Sequence, residues 1–85
     1  MGQTLTMLRR KQVEVETGLS RSTIYLRISQ RLWPKPVNLG PRAVGWPAVE
    51  VQALNAARIA GRSDEEIRNL VLALEQARIA IDRRG

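Results

Sequence analysis

All four prolines of this 85-residue chain lie between residues 34 and 47, and they divide an otherwise helix-compatible sequence into two parts. Pro34 and Pro36 each lack a backbone donor and crowd the preceding turn, so a helix entering from the N-terminal side must end before them. Beyond them, Val37-Asn38-Leu39 and Val44-Gly45-Trp46 flank Gly40-Pro41-Arg42-Ala43. Two short β-prone runs around a Gly-Pro turn read as a hairpin with Arg42 at its tip. Pro47 is then suited to the first position of a following helix.

The flanking segments read as helices. Leu8 to Thr17 forms the first, with Leu8, Val13 and Val15 as its apolar positions and Gly18 as its stop. Ser20 stands as N-cap of a second, Arg21 to about Arg31, with Leu19, Ile24 and Ile28 inward. A third runs from Pro47 to about Ala60, with Val51 and Leu54 inward, and ends at Gly61. Ser63 and Glu66 make an S-x-x-E capping box for a fourth helix reaching about Ile81. The organisation expected is a lead-in over 1–6, a domain over 7–61, a helix over 62–82 and a tail over 83–85.

The fourth helix repeats Ile67, Leu70, Leu74, Ala77 and Ile81 at spacings of three and four, and this seam must be buried. It can pack on the small domain or against a second copy, which would let a dimer read two half-sites. The reading leans to the second, with Ile67, Leu70, Leu74 and Ile81 as dimerisation residues.

Charge narrows the function. Net charge is +6, and it is unevenly spread: residues 1–62 hold ten Lys or Arg against three Glu, residues 63–85 four Arg against five acids. A polyanion-binding surface therefore belongs to the first part. With no Cys and no His, disulfides, thiolate nucleophiles, imidazole bases and the usual zinc sites are excluded. No nucleophile and base, metal set or phosphate loop is recognisable, so an enzyme is not expected, nor is a cofactor. No stretch is apolar enough to span a bilayer, and a cytoplasmic, nucleoid-associated protein is expected.

Two short helices hinged at Thr17-Gly18-Leu19, followed by the hairpin, make a mainly α, winged helix-turn-helix with a two-stranded wing and an extra C-terminal helix. The major groove of DNA admits one helix. With Ile24 inward, Ser22, Leu26 and Ser29 point outward, flanked by Arg21, Thr23 and Tyr25. Tyr25 is either a core-edge residue or a phosphate contact through its hydroxyl, and Trp33 and Trp46 close the hairpin onto the helices. Arg42 has no acidic neighbour in sequence, which favours a minor-groove or phosphate contact. Arg9, Arg10 and Lys11 crowd a helix N-terminus, where cations are electrostatically disfavoured unless they meet phosphate.

The run TGLSRSTIYLRI over Thr17 to Ile28, with Trp33-Pro34-Lys35-Pro36-Val37, then LGPRAVGW over Leu39 to Trp46 and Glu50-Val51, resembles the AlpA-like phage regulators. These are small winged-helix proteins related to MerR-type DNA-binding domains and to phage excisionases. The resemblance covers residues 7–60 and implies sequence-specific binding of double-stranded DNA, to regulate transcription of phage or mobile-element genes or to direct excision. By matching position it places Ser20, Arg21, Ser22, Thr23 and Tyr25 in the recognition helix and Pro41 to Val44 at the wing tip. The DNA-contacting set expected is these helix residues with Arg27, Arg42, Ala43, Arg10 and Lys11. A homodimer or DNA-templated oligomer, and an integrase or RNA polymerase as protein partner, go with that reading; a protein-binding inhibitor module is the contrasting one.

Three positions depart from the family pattern. Leu26 precedes Arg27, whereas an Arg commonly follows the tyrosine directly. Arg31 replaces a usual Gly, which predicts a differently shaped connection after the recognition helix. Leu54 stands where a Trp is frequent.

Overall fold

The computed structural model describes residues 5–84, with side chains placed to Ile81. Residues 1–4 of the lead-in expected over 1–6, and part of the tail expected over 83–85, thus lie outside the described residues. The elements are β1 (Met7–Arg9), α1 (Arg10–Thr17), α2 (Arg21–Ser29), β2 (Val37–Gly40), β3 (Ala43–Pro47), α3 (Ala48–Ile59) and α4 (Asp64–Arg84).

The hairpin forms as the proline and glycine pattern requires, but the sheet has a third strand. Its order is β1-β3-β2, antiparallel throughout, with Leu8 opposite Trp46 and Val37 opposite Gly45. The first helix therefore begins at Arg10, and Leu8 belongs to a strand. Pairing with β3 satisfies backbone groups that a helix start would leave open, and the Ala48 amide extends the register by donating to the Thr6 carbonyl at 2.7 Å. Gly45 lies between both neighbours. A Cβ there would stand 2.9 Å from the Leu8 carbonyl oxygen and 2.9 Å from Leu39 Cδ1, so no larger residue fits without moving a strand.

One core joins all the helices to the sheet: Val13, Ile24, Leu32, Trp33, Trp46, Val51, Leu54, Ile67 and Val71. Trp46 is fully buried, and its indole N–H donates to the Pro34 carbonyl at 2.8 Å, tying β3 to the proline segment. Val15, read as one of the apolar positions of the first helix, is 81% exposed. In an eight-residue helix Val13 already fills the inward position, and two residues further on, about 200° around the axis, the next side chain faces solvent.

Helix α4 is built into this core. Ile67 and Val71 are buried in it, and Leu70 and Leu74 pack against it. The seam that could have met a second copy is used within the chain at Ile67, Leu70 and Leu74, while Ala77 is exposed and Ile81 is 41% exposed. The start of α4 is the expected capping box: Glu66 N–H donates to Ser63 Oγ at 3.1 Å, and Ser63 N–H to Glu66 Oε1 at 2.9 Å. The hydrogen bond that the carboxylate accepts from the Ser63 N–H is the main cause that lowers the Glu66 pKa.

Polar groups of α4 also clamp the chain between α2 and the sheet. Arg68 Nε donates to the Gln30 carbonyl at 2.9 Å, Glu75 accepts from the Lys35 N–H at 2.8 Å, and Arg78 donates to the Lys35 carbonyl at 2.8 Å. Arg78 also forms a two-pronged ion pair with Glu50, at 2.8 and 2.7 Å. Glu50 is only 3% exposed, and its hydrogen bonds to Arg78 raise the arginine's pKa.

Arg31 does not reshape the connection after α2. It adopts the left-handed conformation, φ 63°, that the usual glycine would. Its N–H reaches the Ile28 carbonyl at 3.1 Å and the Leu32 N–H reaches Arg27 at 2.8 Å, the paired bonds of a glycine-type helix stop. Holding a side chain there costs about 1–2 kcal/mol, partly offset by the stiffer unfolded chain. Arg31→Gly is expected to stabilise the fold by about 0.5–1 kcal/mol, read as a rise of a few degrees in the thermal midpoint.

Candidate nucleic-acid interface

The turn between α1 and α2 is fixed by local hydrogen bonds. Gly18 takes a left-handed φ of 73° and donates to the Glu14 carbonyl at 2.8 Å. Thr17 Oγ1 donates to the Val13 carbonyl at 2.7 Å and accepts from the Leu19 N–H at 3.1 Å. From α3, Asn55 Nδ2 donates to the Glu16 carbonyl at 2.9 Å. These bonds, made on both sides of Gly18, set the direction in which α2 leaves.

Ser20 caps α2, accepting from the Thr23 N–H at 3.2 Å while its hydroxyl donates to Thr23 Oγ1 at 3.0 Å. Two of the residues expected to contact DNA are thus joined to each other at the helix start. Ser20→Ala should cost about 1 kcal/mol of stability, visible in denaturant unfolding, with DNA affinity falling only as far as α2 frays.

Ile24 turns α2's apolar side inward at 0% exposure, leaving Arg21, Ser22, Tyr25, Leu26 and Ser29 on the exposed side. Tyr25 is 40% exposed and Leu26 55%. Ser29 Oγ donates to the Leu26 carbonyl at 2.6 Å, which occupies its hydroxyl proton. Arg21, Ser22 and Tyr25 are therefore the side chains of this face with open polar groups.

Among the described residues, Arg9, Lys11, Arg21, Arg27, Arg31 and Arg42 form no ion pair with an acidic side chain. Arg10, by contrast, pairs with Glu14 one turn along α1, so this member of the expected set already has part of its charge answered. Lys11 is exposed, Arg27 half-buried in the last turn of α2, and Ala43 half-buried at the first position of β3. Trp33 and Trp46, 4% and 0% exposed, are core residues.

Arg42 is exposed at the β2–β3 turn with a φ of 57°. It and Arg31 are the two non-glycine residues of the described chain with positive φ, and both are arginines standing where glycine would be conformationally easier. Backbone strain retained at a solvent-facing position points to a role for the side chain. Sequence reasoning selected Arg42 from its turn but treated Arg31 only as a departure. The signal available was the substitution itself, a cation placed where the backbone favours glycine.

No helix among the described residues is long and apolar enough to cross a membrane, and no cluster of three or more residues suited to hold a metal ion occurs among them.

Residues 6–59 match the family model described as prophage CP4-57 regulatory protein (AlpA). The chain is also similar to an uncharacterized protein, ORF88, of Enterobacteria phage P4, at 53% identity over 45 residues, which are 53% of this chain and 51% of that protein. The match thus spans about half the length of the curated relative. No solved structure matches the chain.

Proposed function

Because the chain belongs to the AlpA family of prophage regulatory proteins, we propose that it regulates transcription of phage or mobile-element genes by binding double-stranded DNA sequence-specifically. In this reading α2 enters the major groove with Arg21, Ser22 and Tyr25 toward bases and phosphates, and the β2–β3 turn brings Arg42 to the flanking backbone or minor groove. The observation that carries it is the pairing of an exposed α2 face, on which Arg21 has no acidic partner and Ser22 and Tyr25 have open polar groups, with an arginine kept at a left-handed turn tip.

The electrostatics fit a phosphate-binding surface. The first turn of α1 contains no acidic residue, so Arg9 and Lys11 stand at the positive end of that helix dipole without an acidic partner, while Arg10 is answered in part by Glu14. A phosphate at this end would relieve the repulsion. The acids of α4's first turn, Asp64, Glu65 and Glu66, lie on another element.

Selection of bound fragments from random duplex DNA, followed by titration of the selected site at several salt concentrations, tests the proposal. A shared sequence and a log-log salt slope steeply negative, by about 0.9 per phosphate contact, are expected. Absence of binding at low salt would overturn it and leave a protein-binding module. Several tandem sites with a large induced bend would instead place the chain with excisionase-type architectural factors.

A further inference from the structure

Arg31 and Lys35 stand at the two ends of a short segment whose backbone the fold holds in place. Leu32, Trp33 and Pro34 between them are buried, whereas both cationic residues are exposed. Helix α4 fixes the backbone on either side: Arg68 Nε donates to the Gln30 carbonyl at 2.9 Å, Glu75 accepts from the Lys35 N–H at 2.8 Å and Arg78 donates to the Lys35 carbonyl at 2.8 Å. These bonds use only main-chain groups of the segment, so neither the Arg31 guanidinium nor the Lys35 ammonium is spent on them. Both residues line a groove of about 580 Å³, and Glu65 and Glu75 line it too. Among the described residues, neither cation forms an ion pair with either carboxylate. Arg31 also keeps a φ of 63° that glycine would adopt at less cost, so a cationic side chain is retained here against backbone preference.

The groove adjoins the exposed side of α2, since Ser29 belongs to both. Helix α2 has nine residues, a length of about 13 Å at a rise of about 1.5 Å per residue, and the major groove is about 12 Å wide. With Arg21 and Ser22 at base edges, the far end of the helix stands at the rim of the groove, where a phosphate strand runs. We propose that Arg31, with Lys35 on the same groove, holds the phosphate backbone at the C-terminal end of α2, a third DNA contact besides the α2 face and the β2–β3 turn. This rests on the DNA-binding reading and gives it two further residues. With Arg68, the groove has three cations against Glu65 and Glu75, and Glu75 already has one oxygen committed to the Lys35 N–H. A phosphate therefore meets net positive charge. Because α4 holds the segment before DNA arrives, the contact needs little ordering of the backbone.

Arg31→Gly and Lys35→Gln leave the main-chain bonds of the segment in place, so both chains should fold, the first with a raised thermal midpoint. On a selected duplex site at about 0.1 M salt, each is expected to bind about 5- to 10-fold more weakly than the parent, with a log-log salt slope flatter by about 0.9, the counterion release of one phosphate. The loss should be equal on single-base variants of the site, because phosphate carries no sequence information. Replacing the phosphates of the site one at a time by uncharged methylphosphonates locates the contact. At one or two positions the replacement should weaken the parent several-fold and leave Arg31→Gly unaffected. An Arg31→Gly chain with the parent's affinity and slope, or one that loses as much as the parent at every methylphosphonate, would overturn the inference and leave the groove to an acidic segment of a protein partner. A parent chain that binds no duplex would overturn the DNA-binding reading itself, and this contact with it.

Discussion

Replacing Arg78 by alanine is expected to destabilise the fold by about 3 kcal/mol, lowering the thermal midpoint by on the order of 10–20 °C in a domain of this size. The reason is asymmetric burial. Glu50 is 3% exposed and takes both of its close contacts from Arg78, so removing the arginine strands a carboxylate in the interior. The same change removes a donor from the Lys35 carbonyl, loosening the segment that leads into β2. Glu50→Gln should cost less, since the Arg78 side chain is 21% exposed and can turn its charge to water. Combining Glu50→Gln with Arg78→Met should be milder than Arg78→Ala, because no unpaired charge then remains inside. Thermal and denaturant unfolding of the four chains would check the order, and equal losses from Arg78→Ala and Glu50→Gln would contradict it.

That pair shows where sequence reasoning stops. Glu50 and Arg78 are 28 positions apart, and a Glu early in one helix and an Arg late in another each have the look of ordinary surface charges. Only the antiparallel return of α4 over α3 brings them together. Elements set by local chemistry were legible: Ser63 and Glu66 carry their own cap, Gly40-Pro41 its own turn, and Gly18 with Ser20 the bend before α2. Strand β1 was not, because Met7-Leu8-Arg9 has no alternation long enough to mark a strand and becomes one only where β3 offers its edge. The α4 seam was half legible. Its spacing of three and four was read, but Val71, which is buried, was passed over for Ala77, which is exposed. Apolar residues on both sides of a helix leave the inward side ambiguous until the core is placed.

The candidate site divides in the same way. The exposed face of α2 follows from helical geometry once Ile24 is fixed inward, so Arg21, Ser22 and Tyr25 could be named in advance. That Ser20 is bound up in capping follows equally from its place before the helix. The backbone conformation of Arg31 and Arg42 could not be read beforehand, since it arises from how a helix stop and a hairpin turn close.

Arg42 gives the sharpest test of function, because its backbone and its charge make opposite predictions for one substitution. Arg42→Gly removes a side chain from a φ of 57°, a conformation costing about 1–2 kcal/mol for any residue with a Cβ. The fold should therefore be as stable as the parent or slightly more so. If the side chain contacts DNA, affinity should nevertheless fall about 10- to 100-fold, the loss of one good contact worth 1–3 kcal/mol. The salt slope should flatten by about one unit if the contact is to phosphate. Arg42→Lys should recover part of the affinity and all of the slope, since a point charge serves phosphate but lacks the planar fork. Ser22→Ala should act differently, changing preference among related sites while leaving the slope alone, as expected of a residue that meets bases. Gel-shift titrations of the three chains against a selected site and single-base variants would separate these outcomes. A stabilised Arg42→Gly chain with undiminished affinity would remove the hairpin from the interface and leave α2 to bind without it.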